Sequence, residues 1–129
     1  MVEVIDWGLP ANTGPVTNAV RAGDQVYTVQ IPRDPETGRV QTSGDIREQT
    51  RRALANLVLV MRQAGGTLKD VAQITVFLVE ASDAEGMNEV YRTFFEPPYP
   101  NRATVIVKEL LVPGMRIEMV VHAHLDRAT

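Results

Sequence analysis

Cysteine is absent from the 129-residue chain, which rules out disulfides, thiolate nucleophiles and cysteine-ligated zinc and fits a reducing compartment. Stability must therefore come from packing. Basic runs are missing as well: the net charge is -3, the isoelectric point is near 5.3, and the doublet Arg51-Arg52 is too short to make a cationic stripe. Neither nucleic acid nor an anionic membrane is expected as a partner. No apolar stretch approaches the roughly 20 residues of a membrane-spanning helix. The opening Met1-Val2-Glu3-Val4-Ile5-Asp6-Trp7 is acidic where a signal peptide would be basic, so a cytoplasmic location is the expectation. The chain also lacks a G-x-x-x-x-G-K-[ST] loop, a G-x-G-x-x-G turn and a G-x-S-x-G elbow, which disfavours nucleotide-driven and serine-hydrolase chemistry.

What is present is an ordinary soluble composition, 44% hydrophobic and 22% charged, at a length that suits a single domain over residues 1–129. The β-formers Val26 to Ile31 precede turn chemistry from Pro32 to Gly38, and Val16 to Val20 form a candidate first strand joined through Ala22-Gly23-Asp24. From Asp45 the apolar period lengthens. Ile46, Ala53, Leu54, Leu57, Val60, Met61 and Ala64 share one helical face, with Asp45 and Glu48 as a capping box and Gly65-Gly66 as the stop. Val58 and Leu59 widen that face, toward either a broad core or another subunit. Val71 to Val79 reads as a central strand with apolar groups on both sides. Ser82 and Glu85 form a second capping-box pattern before a helix carrying Met87, Val90, Tyr91, Phe94 and Phe95 and halted by Pro97-Pro98. Ala103 to Val107 and Ile117 to Leu125 complete the order as strands about a Pro113-Gly114 connection.

The order strand, strand, helix, strand, helix, strand, strand predicts an α+β sandwich, with two helices packed on one face of a mixed, mostly antiparallel sheet. Val76, Phe77, Val105, Ile106 and Val121 supply more apolar surface than two helices cover from one side, so an obligate homo-oligomer is expected. The first few residues and Arg127-Ala128-Thr129 are read as tails.

Arg102 is the leading candidate for chemistry. It is the only cation in Tyr99-Pro100-Asn101-Arg102-Ala103-Thr104-Val105-Ile106-Val107, at the start of a β-branched run, where a planar guanidinium can grip a carboxylate with two parallel hydrogen bonds. A solvated surface arginine is the plainer alternative. In the last strand Arg116, Glu118, Val120, His122 and His124 share one face by period two, opposite Ile117, Met119, Val121, Ala123 and Leu125. Apolar neighbours would raise the pKa of Glu118 unless a cation holds it charged, and Arg102 is the candidate partner. His122 and His124 share a face, but with no third histidine and no cysteine they make a poor metal site, and none is expected.

Val29-Gln30-Ile31-Pro32 with Thr37-Gly38, the helix motif Asn88-x-x-Tyr91-x-x-Phe94-Phe95, Pro100-x-Arg102-Ala103-Thr104-Val105 and Ile117-Glu118-Met119 together resemble the RidA/YjgF family. The pattern is collinear from about Gly14 to Ala123. The resemblance implies a chorismate-mutase-like fold assembled as a homotrimer, with small-molecule clefts between subunits. It implies hydrolysis of enamines and imines of the 2-aminoacrylate type to 2-keto acids and ammonia, with no cofactor. On this resemblance Arg102 holds the substrate carboxylate, Glu118 positions or activates water, and Thr28, Val29, Thr104, Val16 and Asn88 line the cleft. Three positions depart from the family pattern. Val16 stands where tyrosine is usual, Thr28-Val29 replaces a serine-glycine pair, and Thr104 replaces a frequent cysteine. These departures leave two alternatives beside a general deaminase: a pathway-specific member taking a larger imine or enamine, or a non-catalytic trimer that binds small carboxylates.

Overall fold

The computed structural model describes residues 1–10 and 12–126. Six strands, β1 (Glu3–Val4), β2 (Ala19–Ala22), β3 (Gln25–Gln30), β4 (Val71–Leu78), β5 (Asn101–Ile106) and β6 (Ile117–His124), alternate with two α-helices, α1 (Ile46–Ala64) and α2 (Ala84–Phe94). The strands form one sheet in the order β1-β2-β3-β6-β4-β5. Only β4 and β5 run parallel; the other neighbours are antiparallel. A parallel pair needs a crossover, and α2 supplies it. The expected mixed, mostly antiparallel sheet with two helices is therefore the observed architecture.

Helix α1 begins after Asp45 and stops at Gly65-Gly66 as expected, but of the expected Asp45/Glu48 capping box only the Asp45 half is present among the described hydrogen bonds. The Asp45 carboxylate accepts the Glu48 amide at 3.0 Å, relieving one of the unpaired donors of the first turn. Gly65 takes the left-handed conformation at φ 86°, and the Gly66 amide donates to the Met61 carbonyl at 2.8 Å. The apolar stripe of Ala53, Leu54, Leu57, Val60 and Met61 is fully buried, against Ile74, Val76 and Leu78 of β4 and Ile117, Met119 and Val121 of β6 in the same core. Leu59 lies at the border of that core and is partly buried. Helix α2 adds Met87, Val90 and Tyr91 to the same core and approaches α1 closely at Gly86. A Cβ there would lie 2.7 Å from Ile46 Cγ2, inside van der Waals contact.

Four expectations require correction. The N-terminal residues are not a tail: Glu3 and Val4 pair with Arg21 and Val20, and Ile5 and Trp7 are buried. A two-residue strand is too short to carry a readable period. The first predicted strand sits three residues later, over Ala19–Ala22, and leaves Val16 exposed in the preceding loop. The turn Gly23-Asp24 that follows has Gly23 at φ 61°, as a tight hairpin requires. The Ser82/Glu85 capping box does not form. A 3-10 turn over Ala81–Asp83 runs straight into α2 without a side-chain cap, and the Asp83 carboxylate is engaged elsewhere. Fourth, Arg102 is not the partner of Glu118, for reasons of sheet parity given below. The C-terminal tail, Arg127-Ala128-Thr129, lies outside the described residues.

The sheet face opposite the helices carries Tyr27, Val29, Val105 and Val120, each between 39% and 45% exposed. Glu118, His122 and Phe77 lie on the same face, half-buried. Among the described residues no element of the chain covers it.

Because Leu57 is fully buried at the centre of the helix stripe, Leu57→Ala is expected to destabilise the fold by about 2–5 kcal/mol, whereas loss of the exposed cap in Asp45→Ala should cost about 1 kcal/mol. Equal midpoint shifts for the two variants in urea titration would contradict this assignment of the core.

Candidate functional site

Arg102 enters β5 opposite Ile74 of β4. Ile74, Val76 and Leu78 are the side of β4 buried beneath the helices, so period two sends Arg102 and Thr104 to the helix side and Ala103 and Val105 to the open side. The contacts agree. Arg102 Nη2 donates to Asn88 Oδ1 at 2.7 Å, Nη1 lies 3.7 Å from Met87 Sδ, and Cζ stands 4.6 Å above the centre of the Tyr91 ring. Asn88, Met87 and Tyr91 all belong to α2. The guanidinium is half-buried and, among the described residues, is bonded to no carboxylate. Two of its five N–H groups are thus engaged, leaving three for a ligand.

Glu118 lies opposite Phe77 of β4, an odd number of residues from Ile74, and therefore on the open face. The sheet itself separates it from the Arg102 of the same chain. Val29, paired with Val120, is also on the open face. Thr28 points the other way and is 4% exposed. Its hydroxyl donates to the Asn18 carbonyl at 2.8 Å and accepts from Gln30 Nε2 at 2.8 Å. Thr104 is exposed on the helix side of β5. The structure thus brings Arg102, Asn88 and Thr104 together and places Glu118 and Val29 on the other face. Val16 stands in the loop before β2.

Several contributors had no signal in the sequence reading. Asn18 is a hub: its Oδ1 accepts from Trp7 Nε1 at 2.8 Å, and its Nδ2 donates to the Val29 carbonyl at 2.9 Å. It ties the loop after Val16 to β3. Asp83, buried, receives two hydrogen bonds of 2.9 Å from Arg116, a contact that raises the Arg116 pKa further above its ordinary value. Arg116 therefore braces the start of α2 rather than joining Glu118. The Gln49 side chain accepts the Arg116 amide at 2.7 Å and donates to the Gly114 carbonyl at 3.0 Å, anchoring the loop before β6. On the open face Gln25 bridges the two histidines, its amide nitrogen lying 2.6 Å from His124 Nδ1 and its oxygen accepting from His122 Nε2. Tyr27 stacks on His122 at 4.7 Å. Among the described residues no group of three or more histidines, cysteines or carboxylates is arranged to hold a metal ion, and no helix is long and apolar enough to cross a membrane.

The family profile "Endoribonuclease L-PSP" matches residues 9–125, and the chain belongs to this family, the RidA/YjgF group. A RutC family protein of Pyrococcus abyssi is 40% identical over 102 residues, 78% of this chain and 80% of that protein. The 2-iminobutanoate/2-iminopropanoate deaminase of Dermatophagoides farinae is 34% identical over 102 residues, 78% and 79% of the two chains. The crystal structure of Escherichia coli TdcF with bound serine superposes with a TM-score of 0.84 at 31% identity, covering 96% of this chain and 99% of the other.

Burial beneath Arg102 pushes the Tyr91 phenol above the ordinary tyrosine value of 10.0, an effect that the cation opposes only in part. Above pH 10 the unfolded chain then loses this proton before the folded one, so folding stability falls as pH rises. Tyr91→Phe should flatten that alkaline loss, measured as urea midpoints between pH 9 and 11. An unchanged slope would place the phenol in a more solvated site.

Proposed function

We propose that the protein is an enamine/imine deaminase that hydrolyses small 2-imino acids of the 2-aminoacrylate type to 2-keto acids and ammonia, in clefts between the protomers of a homotrimer. The observation that carries this reading is the state of Arg102: a guanidinium held against a helix, half-open to solvent, with donors to spare and no carboxylate partner among the described residues. A 2-imino acid offers the missing carboxylate. The names of two relatives support the same chemistry, one as a deaminase of iminobutanoate and iminopropanoate and one as a protein holding serine, itself a small carboxylate.

The demands of the reaction are modest. An imine carbon is already electrophilic, so binding, protonation of nitrogen and a placed water suffice. An enamine first takes a proton at its terminal carbon to become the imine. Water then adds to the C=N carbon of the N-protonated imine as one water proton passes to the Glu118 carboxylate. That proton is handed to the amino nitrogen, and the C–N bond breaks with loss of ammonia as the hydroxyl gives its proton back to Glu118 and the C=O forms. Arg102 holds the carboxylate throughout, with Thr104 beside it.

Sheet parity shapes the assembly. Arg102 and Glu118 lie on opposite faces of one chain, so a cleft that uses both takes them from different protomers. The uncovered apolar face, with Val29, Val105 and Val120, is the surface a neighbour would bury. In such a cleft Val29, paired with Val120 on the face that carries Glu118, narrows the space for substrate and favours short aliphatic side chains. Thr28 acts at one remove, holding the Asn18 backbone behind Val29.

With imino acids generated in situ by an amino-acid oxidase, Arg102→Ala should lower kcat/KM for keto-acid release by about 100-fold or more, as expected for loss of two charge-assisted hydrogen bonds. Wild-type rates in the variant would remove the anchor. Co-expressing Arg102→Ala with Glu118→Gln should restore about a quarter of the wild-type activity, since random mixing gives one cleft in four both native residues. No recovery in demonstrably mixed trimers would mean that each cleft is built from one chain.

A further inference from the structure

The surroundings of Arg102 contain one large side chain that the proposed reaction leaves without a task. Tyr91 is 4% exposed. Its hydroxyl is buried with no hydrogen-bond partner, an unfavourable arrangement that a phenylalanine would avoid. The Arg102 guanidinium carbon stands over its ring, 4.6 Å from the centre, and the Phe95 ring packs against it, with ring centres 4.6 Å apart and planes tilted by 31°. The four residues Met87, Asn88, Tyr91 and Phe95 follow a three- and four-residue spacing and so form one continuous surface of α2 and its C-terminal residue.

We infer that Tyr91, with Asn88, is a positioning residue that sets the plane and rotation of the Arg102 guanidinium and thereby selects a carboxylate as its ligand; this rests on the anchor role proposed above. An arginine on an edge strand has four side-chain torsions and would sample many orientations in solvent, losing that freedom on each binding event. The Tyr91 ring packs against the guanidinium, and Asn88 Oδ1 and Met87 Sδ draw on both terminal nitrogens. What remains for a ligand is the set of unengaged N–H groups. A planar two-oxygen group can meet two of those donors at once, whereas an amide or alcohol satisfies one. The aromatic ring also favours the charged head over a neutral replacement, because its π-face attracts a cation in a site partly shielded from water. Gly86 completes the device. With no side chain there, α2 lies against Ile46 of α1, so the platform is fixed to the core rather than to a loop.

The test uses direct binding as well as turnover. For the intact protein, affinity for 2-oxobutanoate and for its uncharged amide is measured by NMR titration, and kcat and KM are measured with imino acid generated in situ. Tyr91→Leu removes the ring and is expected to weaken 2-oxobutanoate binding about tenfold and to raise KM by a similar factor with a smaller change in kcat, leaving amide binding little changed. Tyr91→Phe keeps the ring and should recover most of the lost affinity. Asn88→Asp, nearly isosteric, sets a competing carboxylate against the guanidinium and should weaken 2-oxobutanoate binding more than Asn88→Ala does. Should Tyr91→Leu prove unfolded by circular dichroism, the Asn88 pair decides the question alone. The inference is overturned if folded Tyr91→Leu binds 2-oxobutanoate as wild type does, if Tyr91→Phe loses as much as Tyr91→Leu, or if the two Asn88 variants bind equally. The anchor reading fails separately, through Arg102→Ala: if that variant binds 2-oxobutanoate normally, the guanidinium is no anchor. If Arg102→Ala loses binding while Tyr91→Leu keeps it, only the platform fails.

Discussion

The side-by-side pairing of β6, β4 and β5 decides which side chains meet the helices and which meet whatever covers the far face. Ile74, Val76 and Leu78 are driven under α1 and α2 by the free energy of burying aliphatic surface. Once they are committed, every other residue of the three strands is assigned by parity. A shift of one residue in either pairing would exchange the two faces and expose the core. Arg102 reaches α2 because it lies level with Ile74. Glu118 faces away because it lies level with Phe77. Which side chains of the chain share a face follows from a constraint imposed by hydrophobic residues distant from Arg102 and Glu118 in role.

The second layer of organisation is electrostatic and local to α2. At its N-terminal end Asp83 and Arg116 join the helix to the segment before β6, and on its sheet-facing side Asn88 and Tyr91 receive Arg102. One short helix therefore carries both a structural ion pair and the cradle of the candidate anchor. The distinction between the two arginines lies in their partners. Arg116 has a carboxylate and is satisfied, whereas Arg102 has an amide oxygen, a thioether and a ring, which orient the charge without neutralising it.

Much of this was legible in the residue order. The period of α1, its Asp45 start and its Gly65 stop are local properties, and local properties can be read from a window of a few residues. The alternation of Ile117 to Leu125 is of the same kind. Where reading failed, the missing information was distant. Ser82 and Glu85 fit a capping box, but Asp83 is bound to Arg116, 33 positions away. Arg102 and Glu118 looked like partners because each needed one; their separation depends on the registers of two strand pairs, which no window contains. Tyr91 fits a core aromatic at helical spacing, and it is buried in the core as well. Nothing in its immediate sequence announces the guanidinium above it.

The strand that carries Arg102 is the last in the sheet, with no strand beyond it among the described residues. An open edge of this kind is a template on which foreign chains can add, and natural proteins blunt such edges with charge. Val105 and Ile106, 39% and 47% exposed, make β5 a particular hazard. Without its arginine the stretch from Asn101 to Val107 would hold no charge at all, the pattern that favours stacked strands. A charge at the head of an open β-branched edge is the kind of residue that discourages pairing with a foreign strand. Arg102 thus sits where protection of the edge and the proposed anchor role would constrain the same position.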